Sequence, residues 1–442
     1  MTAEIRFFWA RLNANYWFYP ATFAIFGALL AFAMIYLDRN GFAEWLNDVS
    51  WLVPARPKGA SDILTVMAST MIGVGSTVFS ITIVAVSYAS GTYGPRLLTN
   101  FLEDKGNQIA LATFIGSFVY ALIVLRSVRG EGESPASASD AAADALPGFA
   151  PQLSLLVGYV LLGLCVAVLV FFLHHAPSSI RINMVLKSIG SRLVNAIENA
   201  YPEKGGPDLP REAQGGVTID AWDSGYIQMI DFSDLVSKAR EKDCVISMRV
   251  RTGDFVHPGM PLMDVRGCEI DDIRATVRED VTIGPVRTPE QDPRFLIDEL
   301  VEIGLRALSP GINDPFTAIT AMHWLGAAMA DLGQRDLDPG CCEDDEPGLC
   351  PVIARSEDFA QYVDRGFGAL RSAVATSANA APIMLDVLEN AALPIPHTCR
   401  RQLLREQGRL LMQEAEAHLT DAAMDTLRER YKRFGRAFYG TD

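Results

Sequence analysis

The chain has 442 residues, of which 49% are hydrophobic, and it carries a formal net charge of −15. A mean hydropathy of +0.16 is high for a soluble protein and low for a fully embedded one. It therefore indicates a membrane part joined to a soluble part. The negative charge argues against a nucleic-acid partner. Because the acidic residues are spread thinly, without a long run of one sign, they indicate a solvated surface.

Four apolar runs predict four membrane-spanning helices within a transmembrane domain of residues 1–175. The predicted spans lie at about 17–38, 63–90, 108–126 and 152–174. Each run is close to the ~20 residues that a helix needs to cross a bilayer.

The second apolar run stands out because small and hydroxyl-bearing residues recur in it at spacings of three, four or seven. Such spacings place residues on one face of a helix. We call this set, with the acidic residue that precedes it, the second-span stripe: Asp62, Thr65, Ser69, Gly73, Ser76, Ser80 and Ser87. A stripe of this kind turns toward protein or water rather than lipid. Two interpretations stay open, a seam of close helix packing and the lining of a permeation path.

Asp62 precedes the hydroxyl-bearing residues by one helical turn. It is either an ordinary charge near a helix N-terminus or a group that concentrates cations at the outer mouth of a path.

Basic residues set the expected orientation, because cytoplasmic segments of membrane proteins are enriched in Lys and Arg. The side of the N-terminus carries Arg6, Arg11, Arg96, Lys105, Arg181, Lys187 and Arg192, and the other side carries Arg39, Arg56, Lys58, Arg126 and Arg129. This modest bias predicts that both termini are cytoplasmic. The cysteines outside the spans all lie in the C-terminal part, which fits free thiols in a reducing compartment.

Residues 176–214 predict a helix and a linker, and residues 215–290 predict short strands in a small β-sandwich or barrel. Within 244–265 the pattern V-x-x-G-D-x-V-x-x-G-x-P-L resembles the half-motif of biotinyl/lipoyl-like barrel-sandwich domains. It is formed by Val250, Gly253, Asp254, Val256, Gly259, Pro261 and Leu262. No lysine occupies the place of the modified residue in that family, so the pattern favours a structural or interaction domain over a carrier.

Residues 291–442 predict a helical cytoplasmic domain in which two helices begin with an Asp-Pro pair. Asp292-Pro293 and Asp314-Pro315 suit an N-cap and a first helical position. The candidate ligand or partner residues here are Asp292, Arg294, Arg306, Asn313 and Asp314. They are interpreted either as turn and capping residues or as a site held at two facing helix ends.

Sequence motifs that would indicate catalysis or metal binding are weak throughout the chain. There is no Walker loop, nucleophile elbow, H-E-x-x-H or paired C-x-x-C. Cys341, Cys342 and Cys350 match no zinc spacing. His174 and His175 end the fourth span, where they are interfacial residues or a pH-sensitive gate. The sequence thus predicts no metal, no cofactor and no enzymatic activity.

Two segments, VAVSYASGTYGPRLLTNFLED and RTPEQDPRFLIDELVEIGLRALSPGINDPFTA, resemble a bacterial family of predicted multi-pass membrane proteins known only as a domain of unknown function. The resemblance runs through most of the chain and implies an inner-membrane protein, without implying an activity.

The expected fold class is an α-helical membrane protein with four transmembrane helices and a cytoplasmic α+β region. The leading functional hypothesis is an oligomeric ion channel or permeation protein, lined by the second span and regulated by its cytoplasmic domain. The alternative is a membrane-anchored scaffold or sensor whose cytoplasmic domain binds a partner. The expected partners are the lipid bilayer, further copies of this chain and permeating ions.

Overall fold

The computed structural model describes residues 15–42, 55–94, 104–130, 148–179, 181–201, 215–268, 270–337, 350–355 and 358–439. It divides into two units, Met1–Arg181 and Ile182–Asp442. Most of the predicted linker before residue 215, together with Cys341 and Cys342, lies outside the described residues.

Within its described residues, the first unit contains four helices that are long and apolar enough to cross a membrane. They are α1 (Phe18–Arg39), α2 (Pro57–Tyr93), α3 (Lys105–Ser127) and α4 (Gln152–Ser179). These four candidate spans agree with the four apolar runs predicted from the sequence. α2 is longer than its span and reaches 37 residues.

The centre of this unit is α3, although the sequence singled out α2. α3 is the most buried of the four helices, and it packs against the other three. Its backbone comes closest to α1, where Gly27 faces Gly116. A Cβ added to Gly27 would lie 2.3 Å from the carbonyl oxygen of Gly116, and one added to Gly116 would lie 2.8 Å from that of Phe23. Both positions therefore require glycine.

At both ends of the first unit, an aspartate side chain links two helices. Asp38, in the last turn of α1, accepts hydrogen bonds at 2.9 Å from the backbone N–H groups of Leu153 and Ser154. This caps the N-terminus of α4. At the other end, Asp104 caps α3 and lies 2.8 Å from Nε2 of His175, near the end of α4. One of the two histidines at the end of the fourth span thus has a carboxylate partner.

The second unit begins with α5 (Ile182–Ala200), followed by seven strands and two helices in an α+β arrangement. The strands are β1 (Val217–Asp220), β2 (Gly225–Ile230), β3 (Val245–Met248), β4 (Phe255–Val256), β5 (Pro261–Arg266), β6 (Val281–Gly284) and β7 (Val352–Ile353). The helices among them are α6 (Phe232–Glu241) and α7 (Ile270–Asp280).

The strands form two open sheets, so of the two predicted alternatives, a sandwich or a barrel, the barrel is not supported. One sheet has the order β1-β5-β3-β7 and the other the order β4-β2-β6. β7 pairs in parallel with β3, and it comes from beyond the range 215–290 predicted for the strands. Both sheets, α6 and α7 contribute to one hydrophobic core, represented by Ile219, Ile227, Leu235, Ile246, Val256, Val277 and Val352.

The rest of the second unit is helical. Its helices are α8 (Pro293–Ala307), α9 (Pro315–Leu332), α10 (Phe359–Val363), α11 (Ala369–Ala375), α12 (Ala380–Ala392), α13 (Thr398–Ala415) and α14 (Asp421–Tyr439). A π-helical turn, Asp364–Gly368, joins α10 to α11. The capping predictions are confirmed, because Asp292 accepts from the N–H of Arg294 and Asp314 accepts from that of Thr317.

Candidate functional site

The second-span stripe lies on the outside of the first unit. All seven of its residues are exposed on the single chain. The buried face of α2, which includes Leu64, Met71 and Val78, packs toward the unit's own core. At 3.6 residues per turn, the stripe and this buried face lie on opposite sides of the helix. The stripe therefore does not pack within its own bundle.

Three of the five hydroxyl groups of the stripe donate hydrogen bonds within α2 itself. Thr65 donates to the carbonyl of Ser61 at 2.8 Å, Ser69 to that of Val66 at 3.1 Å and Ser80 to that of Ser76 at 2.9 Å. A hydroxyl that donates in this way keeps lone pairs that can still accept a hydrogen bond or contact a cation. The stripe thus presents oxygen atoms and little side-chain bulk to whatever covers it.

The second unit contains an ion network that joins the strands to the helices. We define it by Asp254, Arg287, Asp292, Arg294, Asp298 and Arg365. At its centre Asp292, whose side chain is 1% exposed, pairs with Arg287 and with Nε of Arg294, the latter at 3.1 Å. A buried carboxylate between two guanidinium groups is stabilised by charge-assisted hydrogen bonds.

A glycine of the half-motif found in the sequence leaves space for the carboxylate at the centre of this network. Gly253 has φ +85°, and a Cβ there would lie 1.9 Å from Oδ2 of Asp292. The next residue, Asp254, accepts a hydrogen bond at 3.1 Å from Nη1 of Arg294. The Gly-Asp pair of the motif therefore seats the first residues of α8 against the turn before β4.

Asp298 extends the network to the π-helical turn. Arg365 donates to both of its carboxylate oxygens, at 2.6 and 2.8 Å, and Arg287 donates at 2.6 Å. Burial raises the pKa of Asp298, but the hydrogen bonds from Arg365 and Arg287 outweigh burial and hold the pKa below its ordinary value. Asp298 and Arg365 were not among the candidate residues, because they are far apart in the chain.

The structure does not gather the five predicted ligand residues into one site. Asp292 and Arg294 begin α8 and bind each other within the ion network. Asn313 and Asp314 lie beyond the other end of α8, about 22 Å away at 1.5 Å per residue. Arg306 is partly exposed and pairs with Glu302 at 3.3 Å.

A second titratable cluster in this unit was missed by sequence reasoning. Lys238 on α6 lies 2.6 Å from Oδ1 of Asp280, at the end of α7, and 2.9 Å from Oδ2 of Asp234. Burial raises the pKa of Asp280 to about 7, although the Lys238 ammonium acts in the opposite direction. The local sequence carries no signal for this, since the burial arises where α7 meets β6.

The raised pKa predicts a pH-dependent stability of the strand-containing region. In the unfolded chain Asp280 has its ordinary pKa of 3.8, so folding favours the protonated carboxyl. Its contribution to stability is complete below about pH 4 and is lost as the pH rises through about 7, at about 1.4 kcal/mol per pKa unit. Asp280→Asn should flatten this dependence, measured by hydrogen exchange in peptides of α7 and β6 across that range. Equal slopes in wild type and variant would contradict the assignment to Asp280.

The cysteines only partly follow the expectation of free thiols. Cys165, Cys244, Cys268 and Cys399 are free. Cys350, which precedes β7, is disulfide-bonded.

Four candidate membrane-spanning helices, followed by a unit of strands and helices, define the class of multi-pass membrane proteins. A family model described as "Predicted membrane protein (DUF2254)" matches residues 13–390. The chain belongs to this family, which confirms the resemblance noted in the sequence. The further resemblance to biotinyl/lipoyl-like domains is not confirmed.

Curated relatives include uncharacterized proteins of Mycobacterium bovis and Mycobacterium tuberculosis. Each is 29% identical to this chain over 376 residues, which cover 83% of this chain and 70% of the relative. No solved structure matches the chain significantly.

Proposed function

We propose that this protein is a homo-oligomer in the bacterial inner membrane whose α2 helices surround a permeation path for ions, controlled by the second unit. The observation that carries the proposal is the position of the second-span stripe. Seven small, hydroxyl-bearing or acidic residues face directly away from the core of their own unit. Contact with acyl chains would leave the hydroxyl oxygens of the stripe, which can still accept a hydrogen bond, without water or a protein donor.

An oligomer with α2 at its axis would give the stripe a suitable environment. Rotational symmetry repeats one face of one helix around a central axis. Hydroxyl oxygens on that face can replace part of the water that hydrates an ion. Asp62 would lie at the outer mouth, with both termini cytoplasmic, and would concentrate cations there. This role requires no catalytic residue and no cofactor.

The alternative function is a membrane-anchored scaffold or sensor, in which the stripe is a seam between two α2 helices. It is favoured by the hydrogen bonds that Thr65, Ser69 and Ser80 already make within their own helix. Small residues whose polar groups are satisfied let two helix backbones approach closely. In this case the spans assemble the protein, and the second unit binds a partner.

Ion flux into liposomes separates the two functions. We expect the purified wild-type protein to conduct, and Ser76→Leu and Ser80→Leu to reduce flux at least tenfold by placing apolar bulk in the path. Val170→Leu is the matched control, because Val170 is an exposed residue of α4. Its flux should equal that of the wild type.

Disulfide cross-linking between copies completes the experiment. Ser69→Cys and Ser76→Cys should form linked dimers in the membrane if α2 faces α2 in either function. Cross-links without flux would refute the channel and support the scaffold. The absence of both would refute an assembly through α2.

A further inference from the structure

One end of the second unit carries apolar side chains that the unit itself does not cover. Phe316, at the start of α9, is 71% exposed, and Ile312 in the preceding turn is 44% exposed. Leu305 on α8 and Met184 on α5 are also exposed. We call these four residues the apolar tip. Contiguous exposed apolar side chains on a folded surface mark a contact with a protein or a membrane.

The turn between α8 and α9 fixes the direction of the tip. Asn313 has φ +49°, a conformation that Asn tolerates better than most residues. Its N–H donates to the carbonyl of Ser309 at 2.9 Å, and the N–H of Asp314 donates to that of Ala307 at 2.7 Å. Asp314 then caps α9. The candidate residues Asn313 and Asp314 thus hold a rigid turn with Ile312 and Phe316 pointing outward.

Helices α5 and α9 run side by side in the same direction. A Cβ added to Gly190 of α5 would lie 2.2 Å from the indole of Trp324 on α9. Just beyond the C-terminal ends of both helices, Arg335 donates to the carbonyl of Tyr201 at 2.8 Å. The same number of residues separates the two contacts in each segment. The beginning of α9, with Phe316, therefore lies at the same end of the unit as the beginning of α5.

The chain enters the unit at that end directly from a membrane-spanning helix. α4 ends at Ser179 and α5 begins at Ile182. Three residue steps span at most about 11 Å. The first turn of α5 therefore follows the end of a candidate membrane-spanning helix after at most about 11 Å of chain. Arg181 and Lys187 are exposed beside it, and basic residues at such a position are attracted to anionic phospholipids.

We propose that the apolar tip rests on the bilayer, with Ile312 and Phe316 among the headgroups and upper acyl chains. Arg181 and Lys187 meet anionic headgroups. Aromatic and aliphatic side chains next to basic ones are the composition of surfaces that bind at the membrane interface. The tip gives the second unit a second attachment to the membrane, besides the chain connection through α4. This inference does not depend on ion permeation.

Quenching by brominated lipid tests the contact in the full-length protein. Phe316→Trp is reconstituted into nanodiscs of phosphatidylcholine and phosphatidylglycerol, with and without bromine on the acyl chains. We expect bromine to remove most of the emission that the new tryptophan adds to that of the six native ones. Ile312→Trp repeats the test if Phe316→Trp does not fold.

The matched control is Leu393→Trp. Leu393 is 75% exposed, but it lies at the other end of α9, where Gly333 contacts Ile395. Brominated lipid should not affect its added emission. Equal quenching at positions 316 and 393 would overturn the proposal. Quenching at 316 by acrylamide but not by bromine would place the tip in water. Protection from both quenchers would assign it to a protein surface, such as a second copy of the chain. Either result would also overturn the proposal.

Discussion

Gly116→Val is expected to remove most of the correctly folded protein from the membrane fraction. A Cβ at this position would lie 2.8 Å from the carbonyl oxygen of Phe23 on α1, and the facing Gly27 leaves even less space. The obstructing atoms belong to a backbone, so a change of rotamer cannot relieve the contact. α1 and α3 would have to separate along their crossing, at a cost of at least about 1–3 kcal/mol.

The measurement is the yield and melting temperature of the protein in detergent, followed by size-exclusion chromatography. Gly163→Val on α4 is the matched control, because an added Cβ there meets no atom within 4 Å. Both changes place the same side chain in an apolar span. If the two variants melted together, the close crossing of α1 and α3 would be wrong.

The sequence predicted where the spans are, but it could not predict which of them is central. Span position depends on a local property, the length of an apolar run. Centrality depends on which residues of different helices meet in space. Gly27, Gly116 and Gly163 are equivalent in the sequence. Only the packing separates the two that touch another helix from the one that does not.

The second-span stripe shows what a helical spacing can and cannot predict about a helix face. The spacing correctly placed seven residues on one face, because 3.6 residues per turn is a local property. It could not decide whether that face packs against α3 or turns away from the unit. The structure resolves this, since the opposite face of α2 fills the core.

For the second unit, the sequence predicted individual turns and helix starts but not how the strands pair. The half-motif located the turns at Gly253 and Gly259, both of which have positive φ. The half-motif could not predict the sheet order. In the structure β3 pairs with β7, a strand about a hundred residues later in the chain. Likewise, the Asp-Pro pairs predicted both helix starts. Nothing local distinguished Asp292, which is buried among arginines, from Asp314, which is not.

The different surroundings of Asp292 and Asp314 lead to the second prediction with a large expected effect on stability. Asp292→Ala is expected to destabilise the junction of the strands with α8 by about 3–5 kcal/mol, because it leaves two buried guanidinium groups without their shared carboxylate. Asp314→Ala removes the cap of α9 from a half-buried site whose carboxylate accepts from Thr317. It should cost only about 1 kcal/mol. Since both residues cap a helix before a proline, their difference isolates the ion network.

Hydrogen exchange of the full-length protein measures the effect where it arises, which matters because a chain with two units does not unfold in one step. In Asp292→Ala, peptides from α8 and from the turn at Gly253 should lose protection together. Peptides from α1 to α4 should not change. Asp292→Asn keeps an acceptor for the N–H of Arg294 but removes the charge. It should resemble Asp292→Ala if the charge is decisive, and Asp314→Ala if the cap is. Equal loss in Asp292→Ala and Asp314→Ala would mean that Asp298 and Asp254 are sufficient partners for Arg287 and Arg294. Asp292 would then not be needed to hold the strands to the helices.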